Sequence, residues 1–167
     1  MSSRVWKERS KEVANLFNPP FCCTILTSSI VGFKTGHELG MPFSIAYLIF
    51  PLIFHKNTRE ALPLSSKTSL AAWIEENPNT KFKFFDNLMA LKPFVGEAIL
   101  FGSKLDWLSY DNGFINTTIT HNQVTNIAYN KSDGEVRDCI LRARVVGKWL
   151  SNSGTTETVM ELFGVKP

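Results

Sequence analysis

The sequence predicts a mainly α-helical domain with one small β-hairpin. Asn18-Pro19-Pro20 is a helix start signal, because Asn accepts hydrogen bonds from free amides and Pro suits the first helical turn. Apolar residues then recur at helical spacing along most of the chain. Asn112-Gly113 supplies the two positive-φ residues of a type I′ hairpin turn. Helices followed by a hairpin are the order of a winged-helix domain, so we predict a winged-helix-like single domain.

An N-terminal helix is predicted over residues 2–17. Its apolar residues on one side are Val5, Trp6, Val13, Leu16 and Phe17. We treat residues 1–17 as a helical extension and residues 18–167 as the main helical, winged-helix-like domain. The first helix of that domain is predicted to run to Thr35 and to end at Gly36.

Gly40-Met41-Pro42 is predicted to open an apolar helix that continues to His55. Pro51 lacks a backbone donor and is predicted to kink or divide this helix. The apolar run, residues 41–54, is fourteen residues long, whereas a membrane-spanning helix needs about 20. We therefore expect a buried core helix and no membrane partner.

Two further helical segments are predicted before the hairpin. In residues 65–77, Leu70, Trp73 and Ile74 follow i, i+3, i+4 spacing. Residues 80–102 continue the helical pattern, which restarts at Pro93. The pattern before Pro93 runs through Phe82, Phe85, Leu88 and Met89. The piece after Pro93 is predicted to bury Phe94, Val95, Ile99 and Phe101.

The register of the hairpin follows from its turn. Pairing outward from the turn places Tyr110 opposite Ile115 and Leu108 opposite Thr117, on the same face. Residues 120–131 are polar and give no clear prediction.

Two helices are predicted after residue 131. Ser132-Asp133-Gly134-Glu135 resembles a capping box at the start of the first. The inner stripe of that helix is predicted to hold Val136, Cys139, Ile140, Ala143, Gly147 and Leu150. Thr155 is predicted to cap a last short helix, which Gly164 closes. Its predicted apolar residues are Val159, Met160, Leu162 and Phe163.

The charge and cysteine content limit the possible functions. Eighteen Lys and Arg against fifteen Asp and Glu leave a net charge of +3, which is compatible with nucleic-acid contact but does not argue for it. The three cysteines include the adjacent pair Cys22 and Cys23, so a disulfide framework is not expected. The charged N-terminal segment lacks an apolar signal core. Together these features predict a cytoplasmic protein.

No catalytic, cofactor-binding or metal-binding site is predicted. The sequence contains neither GxxxxGK[ST] nor GxGxxG, and its cysteine pair lacks CxxC spacing. Cys139 with His121 as a base would form a nucleophilic pair, but Cys139 lies on a predicted inner stripe, and we expect it to pack in the core. The same core role is expected for Cys22 and Cys23.

One group of basic residues is a candidate contact for phosphates or an acidic partner. Arg137, Arg144 and Lys148 lie on one face of a predicted helix. The alternative is that they form an ordinary solvated helix surface, which is the more common role of such faces.

A second charged group lies around the connection HKNTREALP and consists of Lys56, Arg59, Glu60 and Lys67. Thr58 is predicted to cap a short turn that presents Arg59 and Glu60. Loops often carry binding residues, so these side chains are candidates for partner binding. The alternative for Arg59 is a pairing with a carboxylate of the same chain.

Several long segments together resemble the middle components of ABC-type three-component systems. They are NPPFCCTIL, GMPFSIAYLIFPLIFHKNTREALP and TSLAAWIEENP, followed near the end by an Arg-rich helix that leads to Trp149 and by LFGVKP. The resemblance is carried by whole segments rather than one short motif. It covers residues 18–167 and leaves the first seventeen residues outside.

The resemblance implies a non-enzymatic subunit. Such systems combine an ABC ATPase of the SMC/Rad50 type with a middle component and a third, effector or regulatory, protein. They are regarded as anti-phage or anti-plasmid defences related to the Lamassu group. The middle component offers no catalytic residues to transfer, and its matched turn at residues 58–63 is the candidate contact surface, with Arg59 and Glu60.

The resulting hypothesis is an adaptor that binds the ATPase, links it to the effector and contacts DNA weakly or indirectly. One alternative is a winged-helix DNA-binding regulator that reads DNA with residues 65–77. That segment offers only Lys67 and Asn77 at its ends for base contacts, which argues against this alternative. The other alternative is a cysteine-dependent enzyme that uses Cys139.

Overall fold

The computed structural model describes residues 10–166, apart from the side chains of residues 12–14. The helices are α1 (Lys11–Leu16), α2 (Pro19–Phe33), α3 (Phe43–Phe54), α4 (Lys56–Ala61), α5 (Leu70–Glu76), α6 (Pro78–Lys104), α7 (His121–Asn130), α8 (Gly134–Ser151) and α9 (Thr156–Leu162). The strands are β1 (Met41–Pro42), β2 (Leu108–Asp111) and β3 (Phe114–Thr117), which form an antiparallel sheet in the order β1-β3-β2. The predicted class, mainly α with a small β-hairpin, is confirmed. The winged-helix-like arrangement stays a prediction.

Helix α2 lies at the centre of the fold, between α8 and α6. Asn18 caps it as predicted, since its side-chain oxygen accepts a hydrogen bond of 2.8 Å from the Phe21 amide. The contact with α8 is close because small residues meet there. A Cβ atom at Gly147 would lie 1.8 Å from the Ser29 carbonyl oxygen, and one at Gly32 would lie 2.0 Å from a carbonyl oxygen of α8. Only glycine permits this separation of the two helices.

Helix α3 is buried along most of its length, as predicted for the apolar run. It starts at Phe43 rather than at Gly40, because Met41 and Pro42 instead pair with β3 as a short edge strand. Pro42 has no amide to donate, so an edge position suits it. Pro51 does not divide α3, which is continuous through this residue. Among the helices of the described residues, none combines the length and apolar character that crossing a membrane requires.

The hairpin has the predicted register. Tyr110 is opposite Ile115 and Leu108 is opposite Thr117. The turn residues Asn112 and Gly113 have φ angles of 48° and 86°, which the type I′ turn requires.

Helix α6 has apolar residues on both its buried and its solvent side. Of the residues that carry the pattern before Pro93, Phe82, Phe85 and Met89 are exposed and Leu88 is buried. Val95 is buried as predicted. The core side of α6 consists of Phe84, Leu88, Leu91, Val95, Ala98 and Gly102. The remaining predicted residues, Phe94, Ile99 and Phe101, are partly buried. The helix does not restart at Pro93 but runs through it.

The prediction for the C-terminal third is correct in part. Residues 120–131, for which nothing was predicted, contain α7, and its capping box joins Thr120 and Gln123. The capping box predicted at residues 132–135 is wrong, because Asp133 makes no side-chain cap bond there. The inner stripe of α8 is buried as predicted except for Val136. Thr155 caps α9 as predicted.

The N-terminal extension contains α1, while residues 2–9 of the predicted helix lie outside the described residues. Val5, Trp6 and the side chain of Val13 lie outside the described part of the chain. Leu16 is exposed, whereas the Phe17 ring stacks on Phe94 and meets Phe54 edge-on, at centroid distances of 4.7 and 5.3 Å. The end of the extension therefore packs on α3 and α6.

Candidate partner-binding surface

Arg59 is buried, with 3% of its surface exposed. Its Nε donates to Asp138 at 2.9 Å, one Nη donates to Glu135, and the other donates to the Ile53 carbonyl at 2.7 Å. Burial opposes the charge, but the two carboxylates outweigh it and raise the pKa of Arg59. Of the two roles that the sequence left open, the structure shows the pairing with carboxylates of the same chain. Arg59 joins α4 to α8 and does not lie on an accessible surface.

The other members of this charged group are exposed. Lys56 and Glu60 form an ion pair of 3.8 Å on the surface of α4, and Lys67 lies in the connection to α5. Thr58 does not cap a turn as predicted, because α4 starts at Lys56 and Thr58 lies inside it. Lys56 also borders a polar cleft of about 740 Å³ between α4 and the start of α6, which Lys83 lines from the other side.

The basic face predicted on α8 is largely covered by α7. Arg137 donates to the carbonyls of Ala128 and Ser132, at 2.9 and 2.7 Å, and so satisfies the end of α7. Arg144 donates to the Thr125 hydroxyl at 2.9 Å. Of the three residues predicted on this face, only Lys148 is exposed. The sequence did not indicate α7, and so it did not show what covers this face.

The three cysteines are buried free thiols, as expected of core residues. Burial raises the pKa of Cys139 to about 11, although the neighbouring Arg59 opposes this rise. Burial also raises the pKa of Cys23. At neutral pH both side chains are therefore protonated, which is the unreactive form. Within the described residues, no group of three His, Cys, Asp or Glu side chains is placed to hold a metal ion.

A row of uncharged residues lies along the solvent side of α6, and we call it the α6 stripe. Its members are Phe82, Phe85, Met89, Pro93, Gly96 and Leu100. Phe82 is 86% exposed, Leu100 66% and Phe85 51%. Successive members are three or four residues apart, so all lie within an arc of about 80° and the row extends for roughly 27 Å. Contiguous exposed apolar surface of this kind is typical of sites that bind another protein.

Charged side chains of α6 border the stripe on both sides. At helical spacing, Lys81 and Lys92 fall along one edge. The other edge carries both signs, with Lys83, Asp86, Glu97 and Lys104. An apolar centre between charged edges is the usual composition of a protein–protein interface.

Sequence reasoning placed Phe82, Phe85 and Met89 in a helical pattern but did not show that they face solvent. Helix α6 has an apolar row on each of two opposite sides, and periodicity alone does not show which row is buried. The stacking of Phe84 on Phe163, with centroids 4.5 Å apart, belongs to the buried side. The sequence signal that could have revealed the stripe is the presence of two apolar rows on one long helix, because packing against a single core needs only one row.

Comparison with models of protein families matches residues 6–167 to the family described as ABC-three component (ABC-3C) system Middle Component 3. The comparisons with curated proteins and with solved structures found no match. The family match confirms the resemblance found in the sequence. It also begins earlier than that resemblance, at residue 6 rather than 18, and so includes α1.

Proposed function

The chain belongs to the Middle Component 3 family of ABC-three-component systems, and from this premise we propose that it is a non-catalytic adaptor subunit. It binds the ABC ATPase of its system, an SMC/Rad50-like protein, and links that ATPase to the effector or third component. The assembly serves in anti-phage or anti-plasmid defence. The adaptor acts through its folded surface and uses no cofactor.

The observation that carries this proposal is the α6 stripe. Its aromatic and aliphatic side chains present apolar surface to water, and a partner that covered this surface would gain binding free energy from its burial. Aromatic residues dominate the binding energy of many interfaces, and two of the stripe residues are phenylalanines. A middle component of a multi-protein system requires such a surface.

The charged residues divide into two roles under this proposal. Lys56, Glu60, Lys67 and Lys148 are exposed and act as contacts at the edge of an interface, where charges set association rate and specificity more than affinity. The buried or half-buried arginines act indirectly: Arg59 positions α4, while Arg137 and Arg144 position α7. Any contact with DNA is weak or indirect.

Coupling between ATPase and effector requires a difference in affinity. A partner shifts the equilibrium between two ATPase states only if it binds one of them more tightly. The adaptor therefore prefers one nucleotide state of the ATPase.

The direct test is co-purification of the tagged full-length chain with the ATPase of its system. It is done without nucleotide, with ATP and a hydrolysis-deficient ATPase, and with ADP. We expect a stable complex in at least one condition and a difference of about tenfold in affinity between conditions. Failure to retain the ATPase in every condition contradicts the proposal.

The DNA-binding alternative gains no support from α5, its proposed recognition helix. The apolar residues Leu70, Trp73 and Ile74 are buried, and the solvent side carries the exposed Glu75 and Glu76, which repel phosphates. The Asn77 side chain donates to the Trp73 carbonyl at 2.8 Å. A salt-sensitive gel shift by the isolated chain would favour this alternative.

A further inference from the structure

We propose that the α6 stripe is the binding site for one amphipathic α-helix from another component of the system. The incoming helix carries apolar residues at spacings of three and four over about five turns. It carries acidic side chains along the edge that faces Lys81 and Lys92. This inference rests on the proposed function and specifies which surface binds and what chemistry it binds.

The shape of the stripe selects a helix as its occupant. The stripe is about one helix wide and roughly 27 Å long, which matches a helix of about eighteen residues. An added β-strand would need free backbone donors and acceptors, whereas the backbone groups of α6 are largely used within the helix. Side-chain ridges of two helices interlock at axial distances of 8–10 Å.

Gly96 forms a notch in the stripe. A Cβ atom placed there would meet nothing within 4 Å, so the space above this residue is open. It lies between Pro93 and Leu100 on the same side of α6. A large apolar side chain of the incoming helix fits this notch as a knob fits a hole.

The edges of the stripe define the charge of the occupant. Lys81 and Lys92 are eleven residues apart, which is about 16 Å along the helix, and both are exposed. The Lys92 ammonium lies 5.5 Å from the ring centre of Tyr47 in α3, so α3 adjoins this edge of the stripe. Acidic residues eleven positions apart on the partner helix would face both lysines.

A second copy of this chain is a poorer occupant than a different protein. The stripe is nearly symmetric about residue 91, so two copies would align their stripes in antiparallel orientation around that point. This pairing brings Lys92 of both copies together on an edge that carries only lysines, whereas on the other edge Glu97 of each copy falls beside both Asp86 and Lys83 of the other. Like charges that meet across an interface disfavour it.

The test uses the full chain, co-expressed with the other two components of its system. Phe85→Asp and Leu100→Asp place a charge in the stripe at exposed positions, and Leu64→Asp is the matched control, since Leu64 is exposed but lies outside the stripe. We expect the two stripe variants to weaken binding of one component by about tenfold or more, while L64D binds as the unmodified chain does. Unfolding temperatures of all variants verify that they fold.

The charge of the partner is tested separately. The double variant Lys81→Glu and Lys92→Glu is expected to weaken the same complex by about tenfold at low salt and less at high salt. A photo-crosslinking residue at position 96 identifies the occupant, and the expected product lies in a helical segment with acidic residues on one edge.

The outcomes separate the two proposals. If neither component binds the unmodified chain, the adaptor function itself fails. If a component binds but the stripe variants bind it equally well, the function stands and the assignment of the α6 stripe is overturned. The assignment is also overturned if the crosslink joins two copies of this chain, or if the chain alone is a dimer that Phe85→Asp dissociates.

Discussion

Arg59 shows that a charged residue in a polar stretch of sequence can be buried in the fold. It lies in a charged connection between helices, yet its three acceptors come from the end of α3 and from two carboxylates more than seventy residues later in the chain. Neither Glu135 nor Asp138 is itself buried as deeply as the guanidinium. The sequence indicated a carboxylate pairing as one possibility, but it could not name the partners because α8 is remote in sequence.

We predict that Arg59→Ala lowers the free energy of unfolding by about 3 kcal/mol, because three charge-assisted hydrogen bonds are lost and the Ile53 carbonyl loses its donor. Chemical denaturation followed by circular dichroism measures this. Arg59→Lys restores only part of the loss, since an ammonium does not match the planar fork of the guanidinium. Lys56→Ala, at an exposed position of the same helix, should change stability by less than about 0.5 kcal/mol. Equal stability of R59A and K56A would contradict the buried network.

Cys139 gives a pH-dependent prediction. Its thiol has a pKa near 11 in the folded chain and near the ordinary value of 9.0 when unfolded. The folded state therefore favours the protonated thiol, and below pH 9 the thiol is protonated in both states and costs no stability. As the pH rises from 9 to 11, the thiol ionises more readily in the unfolded chain, and the free energy of unfolding falls by about 2 to 3 kcal/mol in total.

Cys139→Ala isolates this contribution from the other groups that titrate at high pH. The stability difference between the unmodified chain and C139A should be constant from pH 7 to 9 and should then decline up to pH 11. A difference that stays constant up to pH 11 would show that the thiol is not buried as described.

At the scale of elements, local signals predicted structure well. The Asn18 cap, the Asn112-Gly113 turn and the Thr155 cap each depend on residues within three positions, and all three were correct. The errors are non-local. Helix α7 is stabilised by arginines of α8, and the buried side of α6 is decided by which apolar row meets the core.

The contact between α2 and α8 yields the strongest element-scale prediction. Gly147→Ala forces a methyl group to within 1.8 Å of the Ser29 carbonyl oxygen, so the helices must separate. We expect a loss of about 3 kcal/mol, although alanine is intrinsically the better helix former. Thermal unfolding with calorimetry measures the loss.

Gly96→Ala is the matched control for this substitution. Gly96 also lies inside a helix, but its surroundings are open, so the intrinsic preference for alanine should stabilise the fold by up to about 1 kcal/mol. If the two glycine variants changed stability in the same direction, close packing of α2 on α8 would not explain Gly147.

At the scale of the whole molecule, the candidate site was the least predictable feature. Three of the basic residues proposed as partner contacts instead make contacts within the chain. Arg59, Arg137 and Arg144 each bind groups of another element of the fold. The α6 stripe was hidden because its residues look like core residues. An exposed apolar row becomes recognisable only once the fold shows that another row of the same helix already fills the core.

The relation of the N-terminal segment to the rest of the molecule is the last testable point. The sequence divided the chain at residue 17, yet Phe17 packs between α3 and α6, and the family match begins at residue 6. Phe17→Ala should lower the free energy of unfolding by about 2 kcal/mol, since it removes two aromatic contacts and leaves a gap beside Phe94. For a chain of this size that corresponds to about 4–8 °C in unfolding temperature.

Leu16→Ala is the control, because Leu16 is 54% exposed and should change stability by less than about 0.5 kcal/mol. If F17A unfolds at the same temperature as L16A, residues 1–17 are a separate extension; a clear difference makes their end part of the domain.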